Sequence, residues 1–508
     1  MNTENHSTVK STMPGRIFSL DLRSLAIFRI AWGLTLIWDL VFRWSTLTAM
    51  YTDQGFFTRQ VSFDYLEAQI GTQWSSFFWS VYWLSGSTEF AATLFVITGV
   101  LALLFVVGCW TRVVTVGLFI MLVSLHYRNP LVMTSGDLYF KTLLLWSIFL
   151  PLAKVWSWDA RRAGRTVANQ VTPIATFATV GLIFQIITMY FFTGVSKLNE
   201  VWFQGDAMWY VLRLDIYITP FGKSMLDYPI FLKMVSWTTL FFEVCWVWTL
   251  LVPWRNDWFR WINIVVFVGF HIGIGLSMSI GLFPVICIIP WLALLPGYVW
   301  PGKTRQAPRR FSSWIELSTL GRLSLVTCVL LMIFTLIWNI GNIPHPTTRQ
   351  LQIPLIQRIA FGCGLDQHFQ MFDKPPDHNP WFVYEAELKD GTELDLLTGG
   401  EITSVRPDSV REIFPTFHWR KMHRNMVAKD LEFLRQTLAE YWVRQWNESH
   451  GPEQQVVSLR LVCYMEEIGP NYNKENRISL IWGSVKTEKS QPGSLFDQML
   501  KGNGDLPF

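Results

Sequence analysis

Charge is scarce in this chain: Asp, Glu, Lys and Arg make up 16% of its 508 residues, against 51% hydrophobic residues. A water-soluble domain carries about a quarter charged residues, so the deficit points away from a soluble globule and from a disordered polyelectrolyte. The net charge of +4 is small and scattered, which excludes a nucleic-acid-binding class. Among the six cysteines there is no Cys-x-x-Cys, and the sequence has no His-Glu-x-x-His and no Walker-type glycine loop. A structural zinc, a zinc protease and a nucleotide-driven pump therefore lack their motifs. Cys109, Cys245, Cys287 and Cys328 lie in or beside apolar runs as small fillers. Cys363 and Cys463 fall in the C-terminal segment and are able to form a disulfide in an oxidising compartment. Internal repeats and a short h-region with a cleavage site are both missing, so the first apolar run is expected to stay as an anchor. A transporter reading finds no pair of broken helices in matching halves.

What the chain has is long apolar runs and aromatic residues, with 27 Trp and 38 Phe. A span needs about 20 apolar residues, and such runs occur near 24–43, 88–110, 113–127, 138–156, 173–195, 229–253, 259–281, 283–299 and 322–341. The fold class expected is an all-α polytopic integral membrane domain of about nine transmembrane helices, followed by a small extracytoplasmic α+β domain. With nine spans the basic clusters all fall on one side: Lys10, Arg16 and Arg23; Arg112; Lys154, Arg161, Arg162 and Arg165; Arg255 and Arg260; Lys303, Arg305, Arg309 and Arg310. The positive-inside bias then makes residues 1–20 a cytoplasmic tail, 21–343 the membrane domain and 344–508 extracytoplasmic. In the tail, Trp381–Leu397 reads as a hairpin turning at Asp390-Gly391, and 427–447 has helical spacing. Val456–Met465 and Ile478–Val485 read as strands, and Gly502–Phe508 as a frayed end.

Polar residues at membrane depth carry the functional reading. Lys197 stands where the fifth apolar run ends, in Met189-Tyr-Phe-Phe-Thr-Gly-Val-Ser-Lys-Leu. Burial disfavours its ammonium form and makes a neutral amine, a usable base; the alternative is a lysine that snorkels to the headgroups. Asp137 and Lys141, and Asp39 and Arg43, are four apart and are read as structural pairs. Arg29 is close enough to the inner surface to snorkel. Glu243 has no helix-mate of opposite charge and requires a partner on another helix or a proton. His271 precedes a run of small residues, Gly273, Gly275, Ser277, Ser279 and Gly281, that permits close approach. His126 and Asn129 sit at the outer end of the third run, where helix capping explains them as well as a site does.

Asp21-Leu-Arg-Ser-Leu-Ala-Ile-Phe-Arg-Ile, Tyr51-Thr-Asp-Gln-Gly, Ser124-Leu-His-Tyr-Arg-Asn-Pro, Tyr190-Phe-Phe-Thr-Gly-Val-Ser-Lys-Leu and Phe270-His with Ser279-Ile-Gly-Leu-Phe together resemble the HTTM family, the horizontally transferred transmembrane domain shared with vitamin K-dependent gamma-carboxylases. The resemblance covers about 18–300, and Gly364-Leu-Asp-Gln-His-Phe-Gln-Met-Phe-Asp-Lys-Pro-Pro is similar to an extension on many bacterial members. It implies a protein of a bacterial inner or plasma membrane. It implies that Lys197, as a neutral amine, deprotonates a reduced quinone (vitamin K or menaquinone hydroquinone) on the extracytoplasmic side. In that chemistry O2 turns the quinol into an epoxide, and the strong base so formed takes a glutamate γ-proton that CO2 replaces. Lys197 and His271 are the candidate catalytic residues by that resemblance, with Asn129, Tyr190, Asp137 and Glu243 as candidate substrate-binding residues. Ser196 replaces the first of two lysines in the carboxylase stretch, and Asp137 falls where a carboxylase histidine assists proton chemistry. The tail is smaller than the carboxylase's docking region. Two readings follow: a quinol-dependent, carboxy-lyase-like enzyme, or a non-catalytic membrane protein that binds a lipid, quinone or peptide and assists maturation of a secreted peptide or protein.

Overall fold

The computed structural model describes residues 12–165, 173–301, 311, 315–375, 378–428, 431–468 and 477–486. The expectations for Lys10, for the basic cluster at 303–310 and for Gly502–Phe508 lie outside these residues.

A helix occupies each of the nine apolar segments: α1 (Leu22–Trp44), α2 (Thr88–Val107), α3 (Thr111–Arg128), α4 (Ser135–Ser147), α5 (Phe177–Ser196), α6 (Pro229–Val244), α7 (Asn256–Ser277), α8 (Phe283–Ala293) and α9 (Thr319–Gly341). Six of them are long and apolar enough to cross a membrane: α1, α2, α5, α6 with its 3-10 continuation to Leu251, α7 and α9. The other helices are shorter or less apolar. At 1.5 Å per residue, the 13 residues of α4 and 11 of α8 rise about 20 and 16 Å, against a hydrocarbon core of about 30 Å. Both stop short of the runs that suggested them because a proline follows each, Pro151 and Pro296, and the residue before a proline is driven out of helical geometry.

The helix starts follow from capping side chains. Asp21 accepts the backbone N–H of Arg23 at 2.8 Å to open α1, and Thr134 and Asp137 form a reciprocal capping box at α4. Along α1, α6 and α9, large apolar side chains such as Trp38, Phe42, Ile230, Trp237, Leu323 and Leu330 stay exposed. That surface is stable against lipid and costly against water. α5 differs: most of it is buried, packed against α4, α6 and α9. A buried relay of amides ties this interior to the C-terminal segment. The Trp146 indole donates to Gln185 at 3.2 Å, Gln185 donates to Gln367 at 2.8 Å, and Gln367 donates to Thr335 at 3.1 Å.

The C-terminal segment holds a four-stranded antiparallel sheet in the order β2-β1-β3-β4, with β1 (His378–Leu388), β2 (Glu393–Asp395), β3 (Val456–Glu467) and β4 (Arg477–Lys486). The hairpin between β1 and β2 turns where expected, with Gly391 at φ +84°, a backbone region open to glycine. Helix α10 (Phe417–Asn425) precedes α11 (Glu432–Ser449), which packs on β3 and β4. This segment is stitched to the helices: Asn425 donates to the Leu131 carbonyl at 2.6 Å, and Arg406 bridges Asp215 and Glu466.

Two sequence expectations are corrected, and the state of one cysteine pair left open by the sequence is given. Asp137 and Lys141 do not pair with each other: Asp137 is held by Arg43 at 2.6 Å and Lys141 by Asp366 at 2.7 Å, because each finds a closer partner from elsewhere in the bundle. Arg29 does not snorkel. It is fully buried and donates to the carbonyls of Leu152 at 2.8 Å and Trp156, closing the turn after α4. Cys363 and Cys463 are free thiols, one exposed and one buried.

Candidate functional site

Lys197 is the residue after the last turn of α5, and its side chain is 2% exposed. Its Nζ donates to both carboxylate oxygens of Glu243, at 2.8 and 2.6 Å. Glu243 is equally buried on α6, so the partner required on another helix is Lys197. Gly194 makes the approach possible. A Cβ there would sit 2.7 Å from the Val244 side chain and 2.9 Å from Glu243 Cβ, so any larger residue would push α5 off α6 and open the pair. Below the ammonium lies the Trp202 ring, 5.2 Å from Nζ. The Trp202 indole donates to the Phe372 carbonyl at 2.9 Å, and Asn199 to the Asp373 carbonyl at 2.7 Å. The C-terminal segment thus closes this end of α5 over Lys197 and excludes water from it.

Two turns back on α5, on the same face, is Tyr190. Trp291 of α8 donates its indole N–H to the Tyr190 hydroxyl at 3.0 Å, and that hydroxyl lies 2.8 Å from Nε2 of His271 on α7. The indole only donates, so the arrangement that uses every proton sends the Tyr190 proton to Nε2 and leaves the ring proton on Nδ1. Nδ1 is buried and has no acceptor among the described residues. Phe267 stacks on Trp291 at 4.7 Å and leans on Tyr190 at 4.2 Å, giving the trio flat aromatic walls.

Asp137 and Asn129 stand apart from this centre. Asp137 joins Asp39 around the Arg43 guanidinium, at 2.6 and 2.7 Å, with the Tyr51 hydroxyl accepting from Arg43 at 2.8 Å and His126 Nε2 3.6 Å from Asp137. Asn129 ends α3 and donates its amide to the Met50 carbonyl at 3.0 Å. Trp291 and Trp202 were not singled out in the sequence. A buried tryptophan in an aromatic-rich membrane protein carries no signal of its own, and only the three-dimensional partner reveals it.

A bundle of membrane-length helices with a buried lysine–glutamate pair beside a tyrosine–histidine contact is the framework of an integral membrane protein with an intramembrane polar centre. The HTTM domain model matches residues 19–296, more than half of the chain, and the protein belongs to that family of carboxylase-related membrane domains. The match includes Lys197, Glu243, Tyr190 and His271 and stops before α9 and the sheet. No curated protein and no solved structure matches the chain.

Proposed function

We propose that this is a vitamin K-dependent gamma-carboxylase-like membrane enzyme that acts on a reduced quinone, with Lys197 as its base. The observation that carries this reading is the buried Lys197 with Nζ held against both oxygens of Glu243. The residue types present suit a quinol: Phe267 and Trp291, packed face to face on each other, are aromatic neighbours for a flat ring, and Nδ1 of His271, with no partner among the described residues, offers a donor to a ring oxygen. Bound there, a reduced quinone would supply the electrons for O2 and the driving force for proton removal from an acceptor that CO2 then joins. Lys197 is able to accept a proton only as the free amine. Glu243 makes that state accessible, because moving the proton from Nζ to the carboxylate replaces a buried ion pair with two hydrogen-bonded neutral groups, which a dry interior tolerates better. His271 and Tyr190 orient the ligand, and the Trp202–Phe372 closure keeps water from Nζ.

The acceptor side is extracytoplasmic in this reading, and it is met there by a secreted peptide or protein. Support for that sidedness comes from the basic end of the bundle. Arg23 donates to the Gly297 carbonyl at 3.2 Å, and Arg260 to the Ser19 carbonyl at 2.7 Å, so basic residues from separate clusters meet at the end opposite Lys197. One observation favours the non-catalytic reading, in which a lipid, quinone or peptide is bound and a secreted product matured: the carboxylate of Asp137 is committed to Arg43 and supplies no proton chemistry.

The test is epoxide formation by the purified full chain in detergent with reduced menaquinone or vitamin K under air. Epoxide from the native chain, reduced at least a hundredfold in Lys197→Ala, is the expected result. A well-folded native chain that forms none across several quinols overturns the enzyme reading in favour of the maturation one.

A further inference from the structure

A cleft of about 430 Å³ lies between the end of α1, the start of α4, the 279–286 segment and residues 415–420. Its wall is where three helices begin: α4 behind Thr134, α8 at Phe283 and α10 behind Thr416. Each start carries about half a positive charge. The first and last are capped by their threonine side chains, whereas α8 has no side-chain cap. The backbone N–H groups of Phe283 and Val285 have no acceptor among the described residues. Gly281, at φ +67°, lets Phe417 come so close that a Cβ would lie 2.7 Å from its ring, which seats α10 against this open helix start.

Two buried side chains add to it. His418 and Arg420, 6% and 9% exposed, both line the cleft. Nδ1 of the first and Nε of the second have no partner among the described residues. Arg420 is held in place by donating to Ser279 Oγ at 2.9 Å. The acidic groups of the wall, Asp39 and Asp137, both pair with Arg43, which offsets one of their two charges, and Arg420 offsets the other. At the mouth stand Trp38 and Phe42, each 47% exposed on the apolar outer face of α1.

We infer that the cleft binds the anionic head of a membrane amphiphile, with Arg420, His418 and the open start of α8 on the head and the acyl chain running out over Trp38 and Phe42. Lys197 and Glu243 are not among the residues that line the cleft, although its Phe283 ring packs edge-on against His271 at 5.7 Å.

Native mass spectrometry of the full chain released from detergent tests this with three probes at equal concentration: phosphatidylglycerol, phosphatidylcholine of the same chains, and inorganic phosphate. Phosphatidylglycerol is expected to be retained about tenfold more than phosphatidylcholine, because both carry the phosphodiester but in phosphatidylcholine a quaternary ammonium offsets its charge beside Arg420. Arg420→Gln is expected to bring it to the phosphatidylcholine level with an unchanged size-exclusion profile. Trp38→Ala, on an exposed face where folding loss is small, is expected to lower phosphatidylglycerol retention several-fold and decides the matter if Arg420→Gln fails to fold. Equal retention of the two lipids, unchanged phosphatidylglycerol retention in the folded variants, or retention of inorganic phosphate alone overturns the inference.

Discussion

The bundle buries two acid–base clusters, and they are built on opposite principles. Around Arg43, one guanidinium serves two carboxylates and a tyrosine. Arginine does not give up its proton in a protein, so that cluster holds charge in a fixed geometry and clamps α1 to α4. Around Lys197, one ammonium serves one carboxylate with two of its three protons. Here the proton has a second place to go, and the third donor position has no hydrogen-bond acceptor among the described residues, only the Trp202 ring nearby. The first cluster is a brace, and the second is the pair to which the proposed function gives the proton chemistry, although both are equally dry. Charge in a membrane interior is therefore not itself a sign of chemistry; the stoichiometry of donors and acceptors separates the two cases.

The sharpest way to break this contrast is to remove the brace. Arg43→Met leaves Asp39 and Asp137 buried side by side without a cation, and a loss of about 3–5 kcal/mol is expected, read as loss of monodisperse protein after extraction. Arg43→Lys is expected to recover little, since a point charge does not replace a three-way fork. Next comes the pair. Lys197→Met and Glu243→Leu singly are expected to lower thermal stability, with the double variant recovering most of the loss because no charge is left unpaired. A double variant no more stable than the worse single would show that the pair is not coupled as its geometry implies.

A third prediction concerns the C-terminal segment, where burial pushes His423 from the usual 6.5 down to about 3. The folded chain keeps this ring neutral while the unfolded chain takes up a proton below pH 6.5. Stability is therefore flat above that pH and falls as pH drops toward 3, by about 1.4 kcal/mol per pH unit. The melting temperature of the full chain against pH measures it, and His423→Gln is expected to reduce the slope, with His418, pushed down to about 3 by the same burial, supplying part of the remainder. The smallest effect is that of Tyr190→Phe. Removing the hydroxyl strands the Trp291 indole and costs about 1–2 kcal/mol; an unchanged melting temperature would show that the trio does not hold α5 to α7 and α8.

Helix placement was legible because apolar runs and capping residues are local signals: the Thr134 box and the Gly391 turn are where their residue types demand. The expected α11 began at 427 but the helix starts at Glu432, because apolar spacing continues through Val427 without a capping residue to mark the boundary. Lys197 stood out through its own cost in a membrane. Its partner did not, because Glu243 is 46 residues away and sequence periodicity speaks only for neighbours within one helix. The same blindness paired Asp137 with Lys141: four-residue spacing is a statement about reach, and it is silent about a better partner arriving from another helix. The cleft at Arg420 was invisible for that reason too, being assembled from α1, α4, α8 and α10.

The clasp between Lys141 and Asp366 fixes an order of events in the making of the protein. The two residues are 225 apart, and at 5–20 residues per second the ribosome needs roughly 10–45 s to deliver the second after the first. Throughout that interval α4 carries a lysine with the Tyr127 ring beside it but no carboxylate from Asp366, and Gln185 of α5, once made, waits for Gln367 while the later helices are still being inserted. The helical assembly therefore reaches its final form only after its last helix has been threaded and the chain beyond it has folded back.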